Sequence, residues 1–218
     1  LFSGTSDSSS VGNTNMLSDY AAIKNGSYGK LMKAYYAKQD AEKLSGKGDT
    51  SQKLTLMKTS ADSLKKSADA LNDSSLWEKK KIKKKDEKTG EEIEVEDYDW
   101  DKITKAVKSF VEDYNDVVKE AGESNTKDVL RNASWMTGMT DKNSNMLAKI
   151  GITIGKGNKL ELDEDALKQA DISSLKTVFT GYNSFVSKIS QKATGISNAA
   201  NRASATYTNN GTYSKTDS

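Results

Sequence analysis

The sequence predicts a mainly α protein: an elongated antiparallel helical bundle or coiled coil, with a charged β-hairpin insertion and a small α+β element. Three observations carry this. Apolar residues recur at alternating three- and four-residue steps, the spacing that holds one helix stripe against a partner over several turns. Proline is absent from all 218 residues, as long uninterrupted helices require. Hydrophobic residues make up 34% and charged residues 29%, which suits thin helices that bury one stripe and wet the rest.

Residues 1–16 are mostly Ser, Gly, Thr and Asn and are expected to form a flexible tail. A stem follows at 17–125. A short helical stretch holds Met16, Leu17, Tyr20 and Ala21, and Asn25-Gly26 interrupts it. Ser27 then caps a helix to about Leu44 with the seam Tyr28, Leu31, Tyr35, and Gly46 stops it. Thr50 or Ser51 caps the next helix, whose seam is Leu54, Met57, Ala61, Leu64, Ala68, Leu71, ending near Asn72. A further seam runs Ile103, Val107, Phe110, Tyr114, Val117, Ala121 behind an Asp99 or Asp101 cap.

Between these seams, at 79–99, six lysines within Lys79 to Lys85 precede an acidic run to Asp99. A four-residue loop, Lys88-Thr89-Gly90-Glu91, would pair Lys83 with Glu96 and Lys85 with Glu94. Ile82, Ile93 and Val95 would then share the other face, a sorting that a one-residue slip destroys. The lysines are thereby matched by local acids, which argues against nucleic acid as a partner. Trp77 and Trp100 flank the hairpin and are expected to clamp its base, with Trp135 as another packing anchor.

Residues 126–172 read as the small α+β element. Thr126 caps a helix carrying Val129, Leu130, Ala133 and Met136, stopped by Gly138. Met146, Leu147 and Ile150 form another short helix, closed by Gly151. Ile152–Ile154 and Lys159–Leu162 flank a glycine turn as a small hairpin, and Asp163 caps the helix of Ala166, Leu167 and Ala170. Residues 173–208 are expected to be one long helix on the stem, capped by Ser173 or Ser174. Its seam is Leu175, Val178, Tyr182, Phe185, Ile189, Ala193, Ile196, Ala200, Ala203, Tyr207, about 50 Å long at 1.5 Å per residue. Its second half is built of small residues, which bury little area, so its end is expected to order against a partner. Residues 209–218 form a second tail. The segment Asn25–Lys30 (NGSYGK) is echoed by Asn210–Lys215 (NGTYSK); one reading is a docking element shared by the two termini, and the favoured one is that Asn-Gly turns before Ser/Thr caps look alike.

Composition narrows function more than any motif does. Cysteine and histidine are both absent, which removes disulfides, thiolate chemistry and the commonest general base and metal ligand. Net charge is +2, too balanced for a general nucleic-acid binder. No apolar run is long enough for membrane insertion. Gly155–Lys159 lacks the spacing of a phosphate loop, and Asp163, Glu164 and Asp165 lack the ligand spacing of a calcium loop. The sequence therefore assigns no catalytic, cofactor-binding or metal residues, no cofactor and no small-molecule substrate. The chain begins at Leu1 rather than Met, so it is expected to be part of a longer protein. No cleavable signal peptide lies within it.

Taken in order, several short stretches resemble the C-terminal region of the flagellar hook-associated capping protein (hook-associated protein 2) family. They are Phe110-Val111-Glu112-Asp113-Tyr114-Asn115, Leu147-Ala148-Lys149-Ile150-Gly151-Ile152-Thr153, Lys159-Leu160-Glu161-Leu162-Asp163-Glu164, Ala166-Leu167 and Leu175-Lys176-Thr177-Val178-Phe179. The series spans about Lys102 to Ile196. That family carries large globular domains between its terminal helices, where this chain has only the hairpin at 79–99, so a minimal relative is implied. The resemblance implies a structural, non-catalytic axial protein, extracellular and flagellar or at the cell surface, with itself or other flagellar axial proteins as partners. Assembly is expected through the terminal helices, at Tyr28, Leu31, Tyr35, Ile196, Ala200, Ala203 and Tyr207. A secreted or surface-displayed helical interaction module such as an adhesin is the alternative reading, and a cytosolic export chaperone a further one.

Overall fold

In the computed structural model, which describes residues 48–85 and 90–205, the two strongest seams become α1 (Ser51–Asn72) and α2 (Trp100–Gly122). Thr50 opens α1, its hydroxyl accepting the Lys53 N–H at 3.3 Å, and Asp99 opens α2 by accepting the Lys102 N–H at 3.0 Å. Both caps answer backbone donors that a first helical turn leaves unpaired. The seam residues Leu54, Met57, Ala61, Leu64, Ala68 and Leu71 of α1 are buried, as are Ile103, Val107, Phe110, Tyr114, Val117 and Ala121 of α2. Each Leu, Ile, Val or Phe so buried contributes about 1.5–3 kcal/mol over its exposed state.

A 3₁₀ turn at Ser74–Trp77 leads from α1 to the hairpin of β1 (Lys80–Lys85) and β2 (Glu92–Asp97). Trp77, only 1% exposed, anchors that exit. Its indole N–H donates to the Leu71 carbonyl at 2.8 Å, and its ring stacks on Phe179 at 5.5 Å. Trp100 is half-buried and meets Tyr98 edge-on at 6.3 Å.

The hairpin exists, but its register differs from the expected one. Lys83 faces Glu94 and Lys85 faces Glu92, so the pairs Lys83–Glu96 and Lys85–Glu94 do not form. The slip is two residues, which keeps each side chain on its expected face. The observed register also sets Ile82 directly opposite Val95 and adds two charge pairs, Lys81 opposite Glu96 and Lys80 opposite Asp97. The four-residue loop would instead have set Ile82 against Asp97. A longer connection, of which only the end at 90–91 is described, buys the better pairing.

After α2 come α3 (Lys127–Lys142), α4 (Ser144–Ala148), β3 (Ile152–Ile154), a 3₁₀ turn at Lys156–Asn158, β4 (Leu160–Leu162), α5 (Glu164–Gln169), α6 (Ile172–Phe179) and α7 (Phe185–Ala205). β3 and β4 pair antiparallel with Ile152 opposite Leu162 and Ile154 opposite Leu160. Asp163 caps α5 as expected, accepting the Ala166 N–H at 2.9 Å. Gly138 does not stop α3, which continues to Lys142; the turn is deferred to Asn143, whose side chain donates back to the Met139 carbonyl at 2.7 Å.

The expected single helix from 173 to 208 is two helices. Asp171, rather than Ser173 or Ser174, caps α6 by accepting the Ser174 N–H at 3.1 Å. The chain then breaks at Thr180–Ser184, where Gly181 takes φ +96°, a left-handed conformation that suits a residue without Cβ. The Gly181 N–H donates to the Asn72 side chain at 2.8 Å, which ties the break to the end of α1. Ser184 restarts the helix, its hydroxyl accepting the Ser187 N–H at 3.1 Å. Tyr182, placed in the seam by its spacing, is 82% exposed in this break.

Three long helices form the stem. Hydrogen bonds from Ser197 to Asp62 and from Ser190 to Asp69 run α7 antiparallel to α1. The pairing of Lys53 with the Glu123 carbonyl at one end, and of Ser67 with Asp113 further along, runs α2 antiparallel to α1. α3 packs on the outer side of α7, where Gly195 allows close approach: a Cβ there would meet the Asn132 side-chain oxygen at 2.6 Å. Phe110, Phe179 and Phe185 meet edge-on at the centre, with centroids 6.4 and 6.3 Å from Phe110.

Candidate assembly surface

The stem presents a helical body whose polar chemistry is concentrated at four places. The first is the α1–α7 seam. Lys58 and Asp62, then Lys65 and Asp69, repeat one heptad apart on α1 as i,i+4 ion pairs. The Ser197 hydroxyl donates to Asp62 at 2.6 Å and the Ser190 hydroxyl to Asp69 at 2.7 Å. Burial raises the two carboxyls, but lysine and serine hydrogen bonds outweigh it and hold both below the usual range. Two polar pairs at one heptad spacing define a single register of α7 on α1, because any slip strands both serines.

The second is a knot at the stem's base. Asp49 is 4% exposed. It accepts the Ser124 hydroxyl at 2.6 Å, the Asn125 N–H at 2.9 Å, the Thr126 N–H at 3.0 Å and the Thr126 hydroxyl at 2.8 Å. Lys53 stands 3.4 Å away. Burial pushes this carboxyl up, but the Ser124, Asn125 and Thr126 donors and the Lys53 ammonium prevail and lower it. One side chain thus fastens the start of α1 to the α2–α3 turn.

The third joins the stem to the α+β element. Asn115 brackets the backbone of Leu160, donating to its carbonyl at 2.9 Å and accepting its N–H at 2.7 Å. Neighbouring Tyr114 is buried and donates to the Thr140 hydroxyl at 2.9 Å; its phenol is pushed upward by burial. The stretch Phe110–Asn115 therefore supplies a core ring, a link to α3 and a clip on β4 within two helical turns.

The fourth is the hairpin. Lys84 pairs with Asp97, and Lys83 reaches Glu92 at 3.6 Å. Lys79 and Lys176 approach the Tyr98 ring at 5.7 and 6.0 Å from opposite elements, cation–π contacts that seat the hairpin's base on α6. Ile93 is exposed, so one stripe of the appendage is apolar and wet.

Of the residues expected to mediate assembly, Ile196 and Ala200 are buried in the core of the single chain and Ala203 is half-buried. Tyr28, Leu31, Tyr35 and Tyr207 lie outside the described residues, as do both tails, the N-terminal helical stretches and the two NG(S/T)Y segments. Trp135 is not a packing anchor; it is 61% exposed, with the Lys192 ammonium 5.4 Å from its ring. Its position on α3 faces outward while its neighbours Ala133 and Met136 fill the core. The Asp49 knot escaped sequence reasoning because its donors lie more than 70 positions downstream. The Lys-x-x-x-Asp repeat on α1, by contrast, is visible in the sequence with its seven-residue period.

Among the described residues no group of three or more acidic side chains could hold a metal ion, and no helix is long and apolar enough to cross a membrane. Residues 124–218 match a family model described as the flagellar hook-associated protein 2 C-terminus. No curated protein and no solved structure matches the chain.

Proposed function

We propose, from the match of residues 124–218 to the family model of the flagellar hook-associated protein 2 C-terminus, that this chain is a structural, non-catalytic component of a bacterial flagellum. Its role is of the hook-associated or capping type, exerted outside the cell, with copies of itself or other axial proteins as partners. The family match carries the reading, and the helical body supports it. Within the matched segment Thr126, Asn132, Ser190 and Ser197 serve to join or seat helices, as a structural component requires.

Assembly through the two chain ends is the finer part of the proposal. The burial of Ile196 and Ala200 gives them the role of seating α7 firmly, so that whatever follows Ala205 is presented from a fixed helix. Tyr28, Leu31, Tyr35 and Tyr207 are then the side chains offered to neighbouring subunits, with Ala203 at the margin.

The test is a truncation placed where packing allows it. Removing residues 206–218 should leave the melting transition of the body in place, since the buried positions of α7 end at Ala200. Incorporation into flagella, followed by immunogold labelling of filaments in cells carrying the truncated chain, should be lost. Normal incorporation would overturn assembly through the C-terminal end. Retention of the intact protein in the cytosol would overturn the flagellar reading as a whole.

A further inference from the structure

The outer face of α1 and α2, turned away from α7, holds a groove of about 380 Å³. Its floor is made of small side chains: Ser63, Ser67 and Ala70 from α1, Ala106 and Ser109 from α2. Small residues at this spacing let another helix come close. What covers the face is indicated by its charges. Along α2 the same stripe begins with Lys102 and Lys105 and ends with Glu112, Asp113 and Asp116, with Ser109 midway. Lys102, Lys105 and Lys66, which lines the α1 wall, form no ion pair among the described residues, nor do Glu112 and Asp116. Asp113 is half-buried and linked to the Ser67 hydroxyl. Burial, with Asp116 and Glu112 adding like charge, pushes its carboxyl up. The acidic half of the stripe is therefore electrostatically unsatisfied in the single chain.

We propose that a second copy of this chain docks on this face, α2 against α2, antiparallel about a two-fold axis at Ser109. The sequence numbering fits that symmetry. Lys105 lies four positions before Ser109 and Asp113 four after; Lys102 lies seven before and Asp116 seven after. Two-fold pairing about Ser109 thus sets each basic half against the partner's acidic half, and Ala106 and Ser109 leave room at the centre. A contact of this kind is isologous: the same patch serves on both copies, and the pairs Lys102–Asp116 and Lys105–Asp113 each occur twice. Helix α2 pairs over positions 102–116, about 22 Å at 1.5 Å per residue, and charge carries much of its specificity. The contact is independent of the terminal-helix assembly and of the flagellar reading.

The absence of cysteine makes the test direct. In the full chain carrying Ser109→Cys, mild oxidation should yield disulfide-linked dimers about tenfold faster than in Lys188→Cys, an exposed position on α7, because the axis brings the two thiols together. Added to Ser109→Cys, Lys105→Glu should reduce the rate to the Lys188→Cys level, and Lys105→Glu with Asp113→Lys should restore it. Lys102→Glu with Asp116→Lys repeats the exchange at two exposed positions, should the Asp113 change impair folding. Equal rates for the two thiols, or failure of both exchanged pairs to recover dimer, would overturn the proposal. So would a Ser109→Cys thiol that resists a small maleimide in the monomer, which would assign the groove to the chain's own N-terminal segment. None of these outcomes bears on whether the protein enters flagella, so the two readings fail separately.

Discussion

At the residue scale, Asp49 is the one charged side chain buried among the described residues. It answers four hydrogens from the α2–α3 turn while nearly inaccessible to water. Replacing it with Asn keeps the shape but converts charge-assisted hydrogen bonds into neutral ones and turns two acceptor lone pairs into donors. A loss of about 2–3 kcal/mol is expected, because hydrogen bonds to charged groups are worth about 1.5–3 kcal/mol each and the buried donors lose part of their answer. The pH dependence follows from the direction of the shift. The folded-state carboxyl is depressed, so its contribution is fully present above the unfolded pKa of about 3.9 and is lost as pH falls through the lower folded value. Chemical denaturation from about pH 7 to pH 2 should therefore show the gap between the native chain and Asp49→Asn narrowing in acid. A gap that stayed constant to the lowest pH would mean the carboxylate is not what the knot needs.

At the scale of elements, what was legible in the sequence and what was not divides along physical lines. The seams of α1 and α2 were legible because a helix buried on one side must repeat its apolar residues at 3.6-residue intervals. The same rule misread the region after Val178. Tyr182 and Phe185 continue the spacing, but Gly181 adopts a left-handed conformation and Asn72 captures its N–H. That bond spans the fold and leaves no local trace. Ser184, whose hydroxyl accepts the Ser187 N–H and restarts the helix, sits inside a regular seam and was not singled out. The small hairpin of β3 and β4 was read correctly because a glycine turn between two short apolar runs has one pairing that keeps both runs on the core. The charged hairpin allows two pairings of the same parity, and charge alternation alone cannot choose between them. The choice can be tested. Lys83→Glu should destabilise the hairpin by a few tenths of a kcal/mol up to about 1, read from amide exchange in β1 and β2. Glu94→Lys, opposite it, or Glu92→Lys, its ion-pair partner, should restore protection, whereas Glu96→Lys should not. Rescue by Glu96→Lys would return the hairpin to the four-residue loop.

At the scale of the molecule, the stem and the hairpin are separable in their energetics. The buried residues of α1, α2 and α7 belong to one continuous core, joined by Leu147, Ile150, Ile152, Leu160 and Leu167 from the α+β element. None of the residues of β1 or β2 belongs to it; Ile82 and Val95 are only half-buried and Ile93 is exposed. The hairpin is instead anchored at its base, where Trp77 stacks on Phe179 and Tyr98 lies between Lys79 and Lys176. Because Lys80 and Asp97 are directly paired, their Cα atoms are about 4.5–5.5 Å apart, a gap that a short turn closes. Excising residues 81–96 and joining Lys80 to Asp97 through Asn-Gly, a sequence suited to a two-residue turn, should therefore leave the base and the core intact. Thermal unfolding of the excised protein is expected within a few degrees of the native chain, since each exposed ion pair removed is worth under about 1 kcal/mol. Trp77→Ala in the same protein should cost about 3–5 kcal/mol, as a large buried aromatic does when truncated. That contrast separates the base of the hairpin from its arm. A collapse on excision comparable to that of Trp77→Ala would show that the strands help hold α1 and α2 together. A silent excision makes the arm an appendage of the stem, available for contacts beyond the chain at no expense to its fold.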